Sequence, residues 1–388
     1  MKKFLDCISV VGTTPSRFQG KRKYVSTGAV ATTEINESEV VEVTYEDRPS
    51  RANLSAESGD ILFAKMQGTR KTLLLDSETE ENIYSTGFYA VRSNPDVITT
   101  ECLYYLIDSE LFLAQKDKHC SGATQKAITN GGLAKIEIRV PPLSEQGILT
   151  EKLRYLTQLI VDKRKQLELL DEVIKSRFIE MFGNLEVNDK NWNQFPLGKV
   201  CDQVKRYPTF CNMEYIPSGI RVIRIGNILL DGHLDTNDEH YVFVYREANN
   251  DYPDTVIEKD DIIMAVRGDG SAAKRIGIIT EQKLIGANIS PNLIRIKANT
   301  SLLVPMFLFY FLTGRVGQAR LDAYVNKTAK KNIAAKDIVK VLTPVPPIDL
   351  QKEFASFVEQ TDKSKFEIQQ SLEKLEILKK SLMQQYFG

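Results

Sequence analysis

No charge of one sign dominates this chain: 51 Lys and Arg face 51 Asp and Glu, so no global field marks it as a binder of nucleic acid or membrane. Neutrality of the whole can still hide local basic patches. Cysteine is scarce, with five residues (Cys7, Cys102, Cys120, Cys201 and Cys211) and no C-x-x-C pair. That excludes a disulfide framework and fits a reducing cytoplasm. No apolar run approaches the roughly 18 residues of a membrane span. The start, Met1-Lys2-Lys3-Phe4-Leu5-Asp6, reaches a carboxylate before an export signal could build its apolar segment. The expectation is a cytoplasmic protein, neither exported nor inserted.

Catalytic motifs are missing as well. A methyltransferase needs a glycine-rich turn for its methyl donor and an Asn/Asp-Pro-Pro-aromatic stretch for the target amine, and neither occurs. Pro253-Asp254 with Glu281-Gln282-Lys283 could be recruited into a nuclease reading, since paired acids and a lysine can hold a metal and an attacking water. The pattern is loose and has no counterpart elsewhere in the chain. Gly268-Asp269-Gly270-Ser271 lacks the spaced lysine of a phosphate-cradling loop. Three histidines, His119, His233 and His240, are too few for much metal chemistry. His233 and His240, beside Asp231 and Glu239 among turn residues, read as solvated loop. A non-catalytic chain is expected.

What the chain does have is length and an internal repeat. Its 388 residues, 42% hydrophobic and 26% charged, suggest a globular protein of two or three domains. Val140-Pro141-Pro142-Leu143-Ser144-Glu145-Gln146 recurs as Val345-Pro346-Pro347-Ile348-Asp349-Leu350-Gln351, 205 residues later. The register holds without a gap through Leu167/Leu372, Leu170/Leu375 and Ser176/Ser381 to Phe182-Gly183 against Phe387-Gly388. Running backward, the offset drifts to 201 at Gly59–Ala64 against Asp260–Ala265, as small insertions would cause.

Each copy divides at its diproline into a mixed segment and a helical one, because the residue before proline disfavours helix. Strands are expected at Gly59–Ala64, Val222–Ile228 and Ile262–Val266, and helical stretches at Cys102–Leu113 and Met306–Leu312. After Pro142, residues 144–182 carry apolar side chains at three-four spacing. The residues expected to pair the two long helices, and to offer a subunit interface, are Leu153, Leu156, Ile160, Leu167, Leu170 and Ile174 in the first and Val358, Ile368, Leu372, Leu375 and Leu382 in the second. Lys163, Thr361 and Lys365 interrupt the stripes. A helix of this length, about 57 Å at roughly 1.5 Å per residue, exceeds the width of one small domain, so the two should pack on each other.

Basic residues cluster at recurring places. Lys21, Arg22 and Lys23 lie early in the first copy, and Lys205 and Arg206 early in the second. Lys65, Gln67, Arg70 and Lys71 correspond broadly to Arg267, Lys274 and Arg275, and Gln125-Lys126 corresponds to Lys330-Lys331. These side chains can read base edges in a major groove or hold phosphates, and their recurrence favours a shared polyanion-binding face. Two such modules on one spacer suit a bipartite DNA site.

The chain resembles the specificity (S) subunits of type I restriction-modification systems. The resemblance covers essentially all of it and is strongest at Val140–Gln146, at Leu167–Gly183 and at Ser121-Gly122-Ala123-Thr124-Gln125-Lys126-Ala127-Ile128. The second copy departs from the pattern where Asp349-Leu350 replaces Ser144-Glu145. The resemblance implies an α+β fold, in which two mixed α/β target-recognition domains are separated by two long helices forming an antiparallel coiled coil with an internal pseudo-twofold repeat. The domains are expected at 1–140 and 189–345, and the helical spacers at 141–188 and 346–388. It also implies a chain without catalytic residues or metal that binds double-stranded DNA and assembles with two methylation subunits and with restriction/translocation subunits. S-adenosylmethionine, ATP and Mg are expected in those partners, and no cofactor in this chain. A coiled-coil adaptor binding only proteins is the alternative.

Overall fold

The computed structural model describes residues 1–206, 214–267, 274–326 and 332–388. They form two compact units, Met1–Gln166 with Ile368–Gly388, and Leu167–Glu367.

In the first unit, an antiparallel sheet is ordered Ile8–Val11, Phe88–Ser93, Ile61–Ala64, Thr72–Leu74. All four residues of Ile61–Ala64 are buried because both faces of the strand are covered. The two-residue period of a strand sends Ile61 and Phe63 into a core shared with Phe4, Leu103 and Phe112, while Leu62 and Ala64 enter a second core with Val25 and Tyr84. That second core belongs to another sheet, ordered Val41–Val43, Arg22–Val25, Ile83–Ser85, Ala52–Leu54, in which Arg22–Val25 runs parallel to Ile83–Ser85.

The second unit repeats the plan. Cys201–Arg206, Leu293–Ala298, Ile262–Ala265 and Ile276–Ile278 form its antiparallel sheet, and Ile262 and Met264 face one core while Ile263 and Ala265 face another. Its other sheet is ordered Val242–Val244, Ile220–Ile223, Asn288–Ile289, again with one parallel pairing.

One ion pair recurs at matching positions. Buried Asp60 accepts from Arg92 Nε at 2.7 Å and from the Glu57 N–H at 2.8 Å, and buried Asp261 accepts from Arg295 Nε and the Glu258 N–H, both at 2.6 Å. The turn leading into each has a left-handed residue, Gly59 at φ 87° and Asp260 at φ 65°.

Two expectations change in detail. Val222–Ile228 is not one strand: Asn227 Oδ1 takes the Arg224 N–H at 2.9 Å, so the chain leaves the sheet after Ile223 and makes a short helical turn at Ile225–Asn227. Cys102–Leu113 is two helices, Thr100–Ile107 and Glu110–Lys118. The Ser109 hydroxyl donates to Leu106 O at 2.6 Å and accepts the Phe112 N–H at 3.0 Å, closing one helix and capping the next.

The long helices run Leu143–Phe182 and Ile348–Phe387. Each is latched to its own unit by a fully buried glutamine. Gln146 donates to Val97 O at 3.1 Å and Pro141 O at 2.9 Å and accepts the Thr99 N–H at 2.7 Å. Gln351 repeats all three bonds at the residues 205 positions later, to Leu302 O at 3.0 Å, Pro346 O at 2.8 Å and from the Val304 N–H at 2.8 Å.

Within each unit the helical segments pair antiparallel. In the first, Leu149 and Leu153 share a core with Met383 and Phe387, and Arg164 meets Glu376 at 2.7 Å. In the second, Phe178 and Phe182 pack on Phe354, Arg177 meets Glu353 at 3.0 Å, and Lys365 meets Asp171 at 2.7 Å. Of the expected pairing residues, Leu153, Leu156, Ile160, Ile174, Val358 and Leu372 are buried. Leu167, Leu170, Ile368, Leu375 and Leu382 are only half-buried. In the second unit's helix pair, Lys365 takes a place that an apolar side chain would fill, and Asp171 comes with it. Thr361 is buried with its hydroxyl satisfied, donating to Phe357 O one turn earlier at 2.9 Å.

Candidate nucleic-acid interface

In the first unit, strands Ile61–Ala64 and Thr72–Leu74 are joined by a seven-residue connection, 65–71. A second segment, 119–128, lies along it. Ile128 donates its N–H to Lys65 O and Gln67 donates its N–H to Lys126 O, both at 2.9 Å, with Met66 bridged to Ala127. Ser121 bridges to the same Ala127 and so folds 121–127 into a narrow loop. Gly122 makes that loop possible: its φ is 137°, and a Cβ there would sit 2.5 Å from Gln125 O. Gln125 and Lys126 are exposed at the tip. Lys65 lies over the Tyr89 ring at 4.5 Å and donates to Thr86 O at 2.9 Å, and burial holds its ammonium below the ordinary lysine range.

The second unit carries the same constellation at the matching residues. Arg267 bridges to Asn332, Asn332 bridges to Asn326, and Ile333 donates its N–H to Val266 O at 3.0 Å. The exposed Arg267 lies near the Arg206 guanidinium, which burial and that neighbouring charge hold below the ordinary arginine value. Arg206 Nε is anchored on Pro291 O at 2.9 Å. Two cations brought together at the end of a sheet suit an anion or a guanine edge.

The model of the type I restriction modification DNA specificity domain matches residues 11–169 and again 189–379, once for each copy. The chain belongs to the type I restriction-modification specificity family. Among similar proteins is the type I restriction enzyme EcoBI specificity subunit of Escherichia coli, 28% identical over 275 residues. That match takes in 64% of this chain and 56% of the relative, so it spans little more than half the relative's length. A putative type I restriction enzyme specificity subunit, MjaX, of Methanocaldococcus jannaschii is 22% identical over 353 residues, 84% of this chain and 76% of that one. The fold is that of the type I restriction-modification S subunit from M. genitalium, at a TM-score of 0.56 and 14% identity over 100% of this chain and 95% of that one. A chain from a study of assembly of the type I R-M system has a TM-score of 0.54 at 18% identity, covering 98% and 97%.

The other candidate basic residues of this specificity-family chain that lie among the described residues have protein partners. Arg70 is turned away from the loop tip, its Nε and Nη2 donating to the two oxygens of buried Asp108 at 3.1 and 2.9 Å. Lys71 and Arg275 are structural equivalents, since their carbonyls accept from Ala64 and Ala265. Both reach into the neighbouring sheet's loops, Lys71 to Thr27 O at 2.6 Å and Arg275 to Ile228 O at 3.3 Å. Lys274, equivalent to Arg70, pairs with Asp322 at 2.6 Å. Lys205 pairs with Asp254 at 3.1 Å. Lys21, Arg22 and Lys23 do not form a free basic patch: their strand places them opposite Glu42, Glu81 and Glu37, at 3.2, 3.5 and 2.8 Å. Lys330 and Lys331, and the Gly268–Ser271 stretch, lie outside the described residues.

Sequence reasoning missed Lys116, which is buried against the 65–71 connection. Leu169, Val173 and Phe366 are exposed on the helices of the second unit, where the stripe pattern had pointed to Leu167 and Leu170. His233 is less solvated than its turn neighbours suggested. It lies 3.4 Å from Asp231 and near the charges of Asp362 and Lys365. The bond to Asp231 raises its pKa, and that of Asp231 falls to about 2. Asp254 and Lys283 each have other partners, Lys205 and Asp238, so the residues of the nuclease reading are not assembled. Among the described residues no group of three or more His, Cys, Asp or Glu could hold a metal ion, and no helix is long and apolar enough to cross a membrane.

Proposed function

We propose that this chain is the sequence-specific DNA-recognition subunit of a type I restriction-modification assembly. Each unit reads one half of a bipartite, interrupted target in double-stranded DNA, with residues 1–140 and 189–345 as the recognition domains. The chain itself does no chemistry. Two methylation subunits supply adenine-methyl transfer from S-adenosylmethionine, and restriction/translocation subunits supply ATP- and Mg-dependent work on cytoplasmic DNA. The observation that carries this reading is the recurrence of one constellation: a strand connection bearing Lys65 and Gln67, or Arg267, is bonded to a loop at the matching place of each copy. Lys126 and Lys65 serve as phosphate contacts, Gln67, Gln125 and Arg267 as base readers, and Arg206 supports Arg267. The helices provide the surface for the methylation subunits, with exposed Leu169, Val173 and Phe366 as apolar contacts.

The test is a domain exchange in the full chain, co-expressed with the methylation subunits. Replacing residues 1–140 by a relative's counterpart should change one half of the methylated sequence, as mapped on cellular DNA, and leave the other half intact. A swap that altered both halves, or neither, would count against two separate reading modules.

A further inference from the structure

Lys116 is the most unusual titratable residue of the first unit. Its side chain is 2% exposed on the helix Glu110–Lys118, and its ammonium has only a long ion pair with a carboxylate, Asp117 Oδ1 at 3.7 Å. Its three protons go instead to backbone carbonyls, Ala64 O at 3.1 Å and Met66 O and Thr69 O at 2.8 Å. All three belong to the connection 65–71 or to the residue just before it. An ammonium is a compact donor of three hydrogen bonds, and here it fills the turn as a bound cation would. The next residue continues the grip from outside: Asp117 Oδ2 accepts the Gly68 N–H at 2.9 Å, and Asp117 O accepts from the Gln67 side chain at 3.3 Å. A surface connection with this much internal support is held in one conformation.

Resting on the DNA reading proposed above, we infer that Lys116 and Asp117 are positioning residues for recognition of the first half-target: they hold the 65–71 connection in the shape that presents its side chains to the bases. Neither meets DNA itself. The buried lysine is confined to one copy, since the residue 205 positions after Lys116 is Leu321, which is fully buried, whereas the aspartate recurs as Asp322 and pairs with Lys274 of the matching connection at 2.6 Å. Burial also holds the Lys116 pKa below the ordinary lysine value, so the site keeps its ammonium against a real desolvation cost. A residue there for stability alone is more simply a leucine, as the second copy has it.

The experiment uses the full chain with its methylation subunits, the target first mapped from cellular methylation and then built into synthetic duplexes. K116M removes the ammonium and keeps an unbranched apolar chain; D117A removes the carboxylate that holds the Gly68 N–H, from a less buried position, and keeps the backbone carbonyl that meets Gln67; Q67A and K126A act on the proposed DNA face itself. Methylation of the target is compared with that of duplexes changed at single bases in either half, alongside the salt dependence of binding. The expected result for K116M and D117A is a loss of discrimination of about tenfold, the scale of one good base contact, in the first half only, with an unchanged salt slope. If K116M does not fold, D117A decides.

Unchanged discrimination in both positioning variants, with Q67A or K126A still altering binding, overturns the positioning role and leaves the DNA reading standing. A salt slope lowered by about 0.9 in K116M would mean that Lys116 meets a phosphate, and would also overturn it. An equal loss at both halves would show a merely structural role. No effect in any of the four variants overturns the DNA face and the positioning role together.

Discussion

The two copies build one constellation with different supports, and the difference separates what the fold demands from what each module is free to choose. In the first, a seven-residue connection is filled by a buried lysine, and its Arg70 is tied to a buried carboxylate. In the second, the connection between Ile262–Ala265 and Ile276–Ile278 has ten residues, a leucine stands in place of the lysine, and Lys274 pairs with the exposed Asp322. The parts that recur without change are those tying strand to strand and helix to sheet: Asp60–Arg92 with Asp261–Arg295, and Gln146 with Gln351. The scaffold is duplicated, whereas the loops have diverged, as expected where rigid elements position variable reading loops.

Substitutions can break this comparison or sharpen it. The largest effect is expected at the helix pair, whose two sections are packed differently. Phe354→Ala opens the cluster of Phe178, Phe182 and Phe307 and should cost about 3–5 kcal/mol by urea unfolding. Leu153→Ala, in the smaller aliphatic contact of the first unit, should cost about 2–4 kcal/mol. Equal losses would show that the aromatic cluster adds nothing beyond its area.

Next in size is the contrast between Arg70 and Lys274. Arg70→Ala leaves Asp108, 2% exposed, without its counter-charge and should cost about 3 kcal/mol. Lys274→Ala loses a partner that is 61% exposed and should cost less than about 1 kcal/mol. A reversed order in thermal unfolding would refute the assignment of Arg70 to support. The two glutamine latches should behave alike: Gln146→Ala and Gln351→Ala each remove the partner of one part-buried N–H and should each cost about 1–3 kcal/mol. A clear inequality would mean that the copies anchor their helices differently.

The smallest effect concerns pH and exists only in the second copy. His233 gains a proton more readily in the folded chain because of Asp231, so its stabilisation is full below the unfolded pKa of about 6.5 and disappears as pH rises through the raised folded value. Asp231 contributes in the opposite range: its stabilisation is present above its unfolded pKa of about 4 and is lost as pH falls toward its folded value of about 2. Both side chains are more than a third exposed, so screening should keep the change below about 1 kcal/mol. His233→Asn should flatten the decline in melting temperature above pH 6.5. A wild-type chain with no such decline would remove the pair from the account.

The amino-acid sequence by itself determined the duplication, the diproline joints, the two long helices and the family. These are carried by residues close together in the chain, by proline geometry and by helical periodicity, so they need no knowledge of distant contacts. It also drew attention to the basic residues of the 65–71 connection and to Gln125-Lys126. It did not determine which cations are free, because that depends on partners far away in sequence: Asp108 lies 38 residues from Arg70, and Glu42 lies 21 from Lys21. The apolar stripe likewise placed Leu167 and Leu170 in the seam. Only the tertiary packing, with Lys365 and Asp171 taking space within it, half-exposed them and put Leu169, Val173 and Phe366 on the surface. Lys116 shows the limit most plainly. A lysine in the last turn of an ordinary helix reads as solvated charge, and only the return of the chain at Ala64–Thr69 brings three carbonyls to its ammonium.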